Sequence, residues 1–205
     1  MSSKEFFTYK SFFHCFLLDG ENWDLSKIGK HYINSKDMER EWEAVNECAG
    51  LYVQKPLSLD VMNSVIYFEY DSTAKPLSSF DKNNAKQFLW ILPKIIRAIK
   101  HCHDKGWVHG DIKPSNILFI PALTSIRLID FGASYRIGTS RKTLSCWQAT
   151  PSFASPSQLQ GKGLVKKEDD WYALTKIIDQ LIDIEIEPRI QKKAMYIRNV
   201  LMNWV

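Results

Sequence analysis

The stretch that decides the fold is His109-Gly110-Asp111-Ile112-Lys113-Pro114-Ser115-Asn116, which Asp130-Phe131-Gly132 follows after a strand-like run. Its two aspartates, Asp111 and Asp130, stand 19 positions apart. An Asp-Phe-Gly tripeptide alone is more often a turn than a metal site. In this order and at this spacing, however, the two motifs together form a specific pattern.

Phosphoryl transfer from a nucleotide needs three kinds of group close together. Carboxylate and amide oxygens hold Mg²⁺, and Asp130 and Asn116 carry oxygens of this kind. A carboxylate accepts the proton of the attacking hydroxyl, and Asp111 is the candidate base. A cation offsets the charge of the transferred group, and Lys113 is the candidate cation. The stretch therefore predicts a phosphotransferase.

Roughly residues 27–181 resemble the eukaryotic-like Ser/Thr protein kinase family. The resemblance implies that Asp111 is the catalytic base and that Lys113 contacts the γ-phosphate. It also implies that Asn116 and Asp130 bind the metal, with ATP and Mg²⁺ as cofactors and a protein Ser or Thr hydroxyl as the phosphate acceptor. Lys113 is typical of the Ser/Thr type of catalytic loop rather than of the tyrosine type.

The fold that this resemblance implies is α+β and bilobal. The N-lobe, residues 1–70, is expected to be a small antiparallel β-sheet with one regulatory helix. The C-lobe, residues 71–205, is expected to be mostly helical and truncated after the helix that contains Asp170. The polar, turn-rich run 71–76 is the candidate boundary between the lobes.

Hydrophobic periodicity supports this outline. Residues 35–48 and 84–103 show helical spacing, with Ser35 or Asp37 as the candidate N-cap of the first helix and Pro93 as a kink or restart in the second. Strands are predicted within residues 6–33 and at the four runs 51–53, 65–70, 117–120 and 126–129. Two further helices are predicted, over 170–184 and from Pro188 onward.

The resemblance also implies an ion pair that holds the α- and β-phosphates of ATP. Glu41 is the carboxylate on the regulatory helix, and Lys27 is its expected partner. Lys30 is the rival, but it leaves only 11 residues before Glu41, which is a tight connection from strand to helix. Lys27 is therefore preferred.

Further positions match the family pattern. Phe68 is expected to be the gatekeeper, with the backbone of Glu69 and Asp71 meeting the adenine. Asp170 is expected to anchor the catalytic loop through its backbone amides. His109 is expected to be a packed structural histidine that supports the loop. Residues 149–159 are similar to the end of the family's activation segment.

Other positions depart from the family pattern. No glycine precedes Gly20, so the glycine-rich loop over the phosphates is missing, and its place falls near residues 8–11. Gly110 replaces the Arg that normally reads a phosphorylated activation loop. Ser157 replaces a Glu that normally pairs with an Arg in a late helix, and the late helices that usually follow are expected to be missing.

Composition excludes several classes of protein. The 205 residues carry 27 Lys plus Arg against 23 Asp plus Glu, so the net charge of +4 is too mild and too dispersed to indicate nucleic-acid binding. The four cysteines lie far apart, as expected of reduced thiols in a cytoplasmic protein. No apolar run is long enough for a membrane span, and the N-terminus does not have the pattern of a signal peptide.

Three functions remain in competition. The first is an active, minimal Ser/Thr protein kinase, either cytoplasmic or delivered to a host cytosol as an effector. The second is a kinase-fold pseudoenzyme that acts as a protein-binding module, which the missing glycine loop favours. The third is a small-molecule phosphotransferase or a small atypical kinase, both of which share His-Gly-Asp but lack the activation-segment ending seen here.

Overall fold

Antiparallel sheets and α-helices alternate along the computed structural model, which describes residues 13–14, 27–144, 147–183 and 186–205. The predicted α+β class is confirmed. The described helices are α1 (Ser35–Glu47), α2 (Ala85–Asp104), α3 (Pro156–Leu159), α4 (Lys167–Ile182) and α5 (Pro188–Met202). The described strands are β1 (Phe13–His14), β2 (Lys27–His31), β3 (Pro56–Asp60), β4 (Val65–Glu69), β5 (Lys75–Pro76), β6 (Trp107–Val108), β7 (Ile117–Ile120), β8 (Ser125–Leu128) and β9 (Tyr135–Arg136).

The first sheet is antiparallel, with the strand order β1-β2-β4-β3. Helix α1 packs against it through buried apolar side chains such as Met38 and Val45. The helix begins after Asn34, whose extended backbone lets its side chain accept a hydrogen bond of 2.9 Å from the Lys36 N–H. The prediction that Ser35 or Asp37 caps this helix was therefore wrong. Most of the predicted strand region 6–33, including residues 8–11, lies outside the described residues.

The sequence predicted β4 correctly but misjudged its surroundings. Residues 51–53 do not form a strand, because only Val53 makes an isolated bridge, to Leu128. The edge strand β3 was missed, since it begins with Pro56 and is only partly buried along its length. Such an edge strand lacks both the continuous apolar run and the clean alternation that reveal a strand.

Helix α2 is the central helix of the part of the chain that follows the first sheet. Its predicted apolar stripe is confirmed. The stripe is buried at every predicted position, namely Phe88, Leu92, Ile95, Ile99 and Cys102. The expected restart at Pro93 does not occur, because one helix runs from Ala85 to Asp104. Pro93 lies on the exposed face of this helix, where the proline ring meets solvent rather than the core.

Two short pairings place the loops that follow α2. Strands β7 and β8 form an antiparallel hairpin in which Ile117 is opposite Leu128. Strand β6, directly after α2, pairs with β9, and Trp107 is opposite Arg136. The segment between β6 and β7 and the segment between β8 and β9 are therefore brought side by side.

Helices α4 and α5 pack against each other and against α2, with Ala194 and Leu201 of α5 buried in the common core. Helix α4 begins at Lys167, three residues before the predicted start, and its first turn is acidic. Negative side chains in that turn match the positive end of the helix dipole. None of the helices in the described ranges is long and apolar enough to span a membrane.

The predicted anchoring role of Asp170 is confirmed. Its carboxylate, almost fully buried, accepts hydrogen bonds of 2.9 Å from the backbone N–H groups of both His109 and Gly110. The ring nitrogen Nε2 of His103 lies 2.8 Å from the same carboxylate. Burial alone would raise the pKa of the Asp170 carboxyl, but the hydrogen bond and charge of His103, the charge of His109 and the Gly110 N–H hold this pKa below its ordinary value of 3.8.

This lowered pKa predicts a pH-dependent contribution to stability. A carboxyl whose pKa is lower in the folded chain stabilises the fold fully above its unfolded pKa, and the contribution is lost as the pH falls through the folded pKa. We expect Asp170→Asn to reduce the free energy of unfolding at pH 6 by about 1.5–3 kcal/mol, the range for a hydrogen bond to a charged group. The difference from the wild type should shrink between pH 4 and pH 3 in urea unfolding experiments.

Glu168→Gln is the matched control, because Glu168 lies on the same helical turn and is exposed. Its effect should stay within about 0.5 kcal/mol at each pH. A difference between the wild type and Asp170→Asn that is constant from pH 6 to pH 3 would contradict this account of the carboxylate.

Candidate active site

The β7–β8 hairpin brings the two sequence motifs together. Asn116 directly precedes β7 and Asp130 closely follows β8, so antiparallel pairing puts them at the same end of the hairpin. The N–H of Ile129 donates to the Asn116 carbonyl over 3.0 Å. His109 Nε2 lies 3.1 Å from the Ile129 carbonyl, and the His109 ring lies 4.8 Å from the Phe131 ring. His109 is fully buried, so its predicted structural packing is confirmed.

The catalytic-loop residues form one hydrogen-bonded group around Asp111. Lys113 Nζ donates to Asp111 Oδ2 over 2.6 Å, and Thr150 Oγ1 donates to Asp111 Oδ1 over 2.7 Å. Lys113 Nζ also lies 3.1 Å from Thr150 Oγ1. Asn116 Nδ2 donates to the Asp111 backbone carbonyl over 3.0 Å. Three of the predicted site residues therefore lie together.

Thr150 was missed as an individual site residue. The sequence places it within the segment 149–159, which was assigned only to the end of the activation segment. Its contact with Asp111 spans 39 positions of the chain, and local patterns do not reveal such a contact. Its only local signal is a hydroxyl next to Pro151, which is typical of many turns.

A second group joins the first sheet, helix α1 and the Asp-Phe-Gly motif. Lys30 Nζ lies 2.8 and 2.7 Å from the two carboxylate oxygens of Glu41 and 2.6 Å from Asp130 Oδ1. Lys30 is 4% exposed and Glu41 is 1% exposed, so the pair is removed from water. The Asp130 side chain is 18% exposed, so the buried Lys30–Glu41 pair meets a partly accessible carboxylate.

The pairing of Glu41 with Lys27 was therefore wrong, and the rival Lys30 takes that place. Lys27 and Lys30 are three positions apart on β2, so their side chains leave opposite faces of the strand, and Lys27 is exposed. The argument that Lys30 lies too close to Glu41 fails because α1 starts only four residues after the end of β2 at His31. The two-residue periodicity of a strand could have shown that Lys27 and Lys30 lie on opposite faces of the sheet.

The electrostatics of this cluster favour charged forms of Lys30 and Asp130. Burial lowers the pKa of the Lys30 ammonium, but the charges of Glu41 and Asp130 and their hydrogen bonds outweigh it and hold this pKa above its ordinary value. Burial likewise would raise the pKa of the Asp130 carboxyl, and the charge and hydrogen bond of Lys30 hold it below its ordinary value. An ionised carboxylate and a fixed cation thus face each other.

Gly132 is required by the close approach of this cluster. A Cβ atom at Gly132 would lie 3.1 Å from Glu41 Oε2 and 3.3 Å from both Lys30 Nζ and Asp130 Oδ1. These distances are tighter than ordinary contacts, and the three charged groups are fixed by one another. A Cβ atom here would oblige these charged groups to shift by a few tenths of an ångström.

Helix α1 is tied to the Asp-Phe-Gly motif and to β9 by its charged face. Arg40 donates to the Gly132 carbonyl over 2.8 Å, and its guanidinium lies 4.4 Å from the centre of the Tyr135 ring. Arg136 of β9 lies 2.6 Å from carboxylate oxygens of both Glu43 and Glu47. These contacts keep α1 in the position that lets Glu41 reach Lys30.

The residues predicted as metal ligands have a suitable set of donor atoms. Asp130 is one of the few non-glycine residues with a positive φ, 64°, and this strained backbone leads directly into the buried Phe131. The amide nitrogen of Asn116 donates to the Asp111 carbonyl, which leaves the amide oxygen of Asn116 for a cation. A carboxylate and an amide oxygen are ligands that Mg²⁺ accepts, so the residues present fit this ion.

The two residues predicted to meet the adenine lie at the end of β4. Phe68 is buried, and Glu69 is the last residue of the strand. The Glu69 N–H donates to the Lys55 carbonyl over 3.0 Å, and the Asp71 side chain accepts from the Thr73 N–H over 2.8 Å. The structure places both residues outside the Asp111 and Lys30 groups, and their contact with a base stays a prediction.

Gly110 has a backbone conformation that suits glycine. Its φ is +79°, and a Cβ atom would lie 2.4 Å from the Ala133 carbonyl oxygen. Replacing it by any other residue would require the chain after Phe131 to shift. Gly110 therefore allows the catalytic loop to pack closely against the chain that follows the Asp-Phe-Gly motif.

Comparison with known proteins agrees with this geometry. A sequence profile described as the protein kinase domain matches residues 36–200. The Ser/Thr-protein kinase nekl-2 of Caenorhabditis elegans is 34% identical over 100 residues, which is 49% of this chain and 28% of that protein. PrkC of Bacillus subtilis is 36% identical over 98 residues, 47% of this chain and 15% of PrkC.

A longer alignment is made with the Ser/Thr-protein kinase AfsK of Streptomyces coelicolor, at 26% identity over 145 residues. It covers 68% of this chain and 18% of AfsK. In each of these three relatives the matched part is less than a third of the protein's length. The profile match spans most of the chain and includes both motifs, so the chain belongs to the protein kinase family and has its bilobal α+β fold.

Proposed function

We propose that the protein is a Ser/Thr protein kinase that transfers the γ-phosphate of ATP to a protein hydroxyl with the help of Mg²⁺. The observation that carries this proposal is the buried contact of Lys30 with both Glu41 and Asp130. Burying the charged groups of Lys30 and Glu41 is costly, and apolar residues of similar volume would often stabilise a fold as well or better. Titratable groups whose pKa values are shifted by burial and by specific charge partners are frequent at functional sites.

The residues around Asp111 supply the chemistry of transfer. Asp111 would accept the proton of the substrate hydroxyl. At the same time the hydroxyl oxygen would form a bond to the γ-phosphorus, and the bond between that phosphorus and the β–γ bridging oxygen would break. Lys113, held by Asp111 and Thr150, would offset the charge of the transferred group. Lys30 would hold the α- and β-phosphates, the role first assigned to Lys27.

Asn116 and Asp130 would hold the metal. When bound there, Mg²⁺ supplies positive charge that neutralises phosphate oxygens. The lowered pKa of the Asp130 carboxyl keeps this side chain ionised at neutral pH. We further propose that the backbone of Glu69 and Asp71 binds the adenine, since Glu69 ends β4 directly after the buried Phe68 and Asp71 lies two residues further along the chain.

The Ser/Thr type of substrate is the finer part of the proposal. It is supported by Lys113 and by its contact with Thr150, which connects the catalytic loop to the segment 149–159. The relatives described above carry Ser/Thr-protein kinase in their names. These relatives are much longer proteins, so their own substrates say nothing of the substrate here.

A kinase-fold binding protein without catalysis is the second candidate. The observation in its favour is the absence of any glycine before Gly20, where kinases place a glycine-rich loop over the phosphates. Apart from residues 13–14, this part of the chain lies outside the described residues. The two candidates differ in whether ATP with Mg²⁺ binds and whether phosphate is transferred.

Exchanging the two lysines of β2 tests the corrected assignment. Lys30→Met should lower kcat/KM for transfer to a generic basic protein by at least about 100-fold, because it removes the cation that faces the phosphates and leaves Glu41 buried without a partner. Lys27→Met is the matched control, three positions away on the same strand and exposed. Radioactive phosphate incorporation is measured for both.

Lys27→Met should stay within about threefold of the wild type. If Lys27→Met abolishes transfer and Lys30→Met does not, the assignment from the structure fails. Circular dichroism spectra of both variants show whether a loss of activity reflects a loss of fold.

Nucleotide binding separates the active kinase from the binding protein. ATP with Mg²⁺ at 100 times its Kd should stabilise the wild type by about 2.7 kcal/mol, seen as a higher melting temperature. Asp130→Ala should lose most of this shift, since it removes a metal ligand. Asp111→Asn should keep the shift but lower kcat by about 100-fold or more, because the proposed base is lost.

No thermal shift in the wild type would favour the binding protein. Equal phosphate incorporation by the wild type and Asp130→Ala would refute catalysis at this site. Both outcomes can be read with the same purified proteins.

A further inference from the structure

The segment that follows the Asp-Phe-Gly motif contains a buried cation that the catalytic groups do not use. Arg141 is 4% exposed, although it lies in the middle of a stretch without long helices or strands. Its guanidinium contacts the carboxylate of Asp169, which is also 4% exposed. A buried Arg–carboxylate pair in such a segment restricts the segment strongly, because separating the two charges would leave each of them buried alone.

Further donors of Arg141 bind backbone carbonyls. One guanidinium nitrogen donates to the carbonyls of Leu164 and Lys162, over 2.5 and 3.2 Å. The backbone N–H of Arg141 donates to the Gly163 carbonyl over 3.0 Å. Every one of these partners lies just before helix α4, so Arg141 ties the segment to the start of that helix.

Asp169 also contacts the C-terminal end of the same segment, at Ser155. Ser155 Oγ donates to Asp169 Oδ1 over 2.6 Å, and the Lys166 N–H donates to Asp169 Oδ2 over 3.0 Å. One carboxylate therefore holds Arg141 and Ser155. Thr150, whose hydroxyl contacts Asp111, lies between these two anchored points.

The adjacent carboxylate performs the same task for the catalytic loop. Asp170 holds the N–H groups of His109 and Gly110, as described above. Two consecutive carboxylates on α4 thus fix the two segments that meet at Asp111. Because Asp169 and Asp170 lie in one helical turn, that turn sets the distance between the catalytic loop and the anchored residues Arg141 and Ser155.

We propose that the Arg141–Asp169–Ser155 cluster holds residues 133–144 and 147–156 ready for protein substrate without phosphorylation. Arg141 and Ser155 are positioning residues, and they act on the substrate through Thr150 and Phe153 of the same segment. The proposal rests on the proposed kinase function and adds its regulation. Gly110 agrees with it, because that position carries no side chain to read a phosphate, and the Gln158 amide donates to its carbonyl instead.

The cluster also accounts for the serine at position 157. In place of a carboxylate there, Ser157 Oγ lies 3.1 Å from Ser155 Oγ, which in turn bonds to Asp169. The buried charge pair that holds the end of the segment is therefore formed by Arg141 and Asp169.

Matched glutamine variants test the proposal. Arg141→Gln removes the buried cation, and Lys142→Gln removes its exposed neighbour. Arg141→Gln should raise the KM for a generic basic protein at least tenfold and leave ATP hydrolysis in the presence of Mg²⁺ within threefold of the wild type. Lys142→Gln should change neither quantity more than threefold. A general structural defect would lower hydrolysis and transfer alike, so this split identifies a positioning role.

Two further readings complete the test. Wild type treated with a phosphatase should keep its transfer rate within twofold. Chymotrypsin should cleave the segment 133–156 at least tenfold faster in Arg141→Gln than in Lys142→Gln. Equal behaviour of the two glutamine variants in transfer and cleavage, or a tenfold loss of transfer after phosphatase treatment, would overturn the proposal.

The test stays decisive if Arg141→Gln does not fold and also if the wild type has no activity. If Arg141→Gln does not fold, Ser155→Ala removes only one donor to Asp169. It should be cleaved faster than Ser152→Ala, which changes an exposed serine three positions away, and equal rates would contradict the proposal. If the wild type neither hydrolyses ATP nor transfers phosphate, the proposed function fails, whereas the cleavage comparison still decides whether the cluster holds the segment.

Discussion

The interaction on which the site depends is the pair of neighbouring carboxylates at the start of α4. Asp170 accepts the N–H groups of the catalytic loop, and Asp169 accepts Arg141 and Ser155 from the segment after the Asp-Phe-Gly motif. Because both carboxylates are buried in the same helical turn, the two segments have a fixed relative position. Asp111 and Thr150 meet as a result, and the geometry at the proposed base is set by the helix rather than by the loops themselves.

Sequence reasoning succeeded where a pattern was local. The 3.6-residue stripe predicted α2, and the apolar runs predicted β7 and β8. The order and spacing of the two motifs carried the resemblance to the kinase family, which in turn implied the α+β class. The anchor Asp170 was also predicted, since it belongs to a motif with a fixed place in the family. Features that depend on periodicity or on a compact motif can be read from the chain alone.

It failed where a contact was distant or where two candidates were chemically alike. Lys27 and Lys30 are both strand lysines, and the argument from connection length favoured the wrong one, because it ignored that residues three apart lie on opposite faces. Thr150 and Arg141 were not singled out, since their partners lie 39 and 28 positions away. The N-cap of α1 was placed one or three residues too late, at Ser35 or Asp37, because several polar residues adjoin Asn34.

The central claim is that the catalytic loop is held by Asp170 as firmly as the core itself. Native-state hydrogen exchange of the backbone amides of His109 and Gly110 measures this most directly, because both amides donate to that carboxylate. The account predicts that these two amides exchange only through global unfolding, with the same free energy of opening as amides of α2. Exchange at the rate of an exposed loop would contradict it.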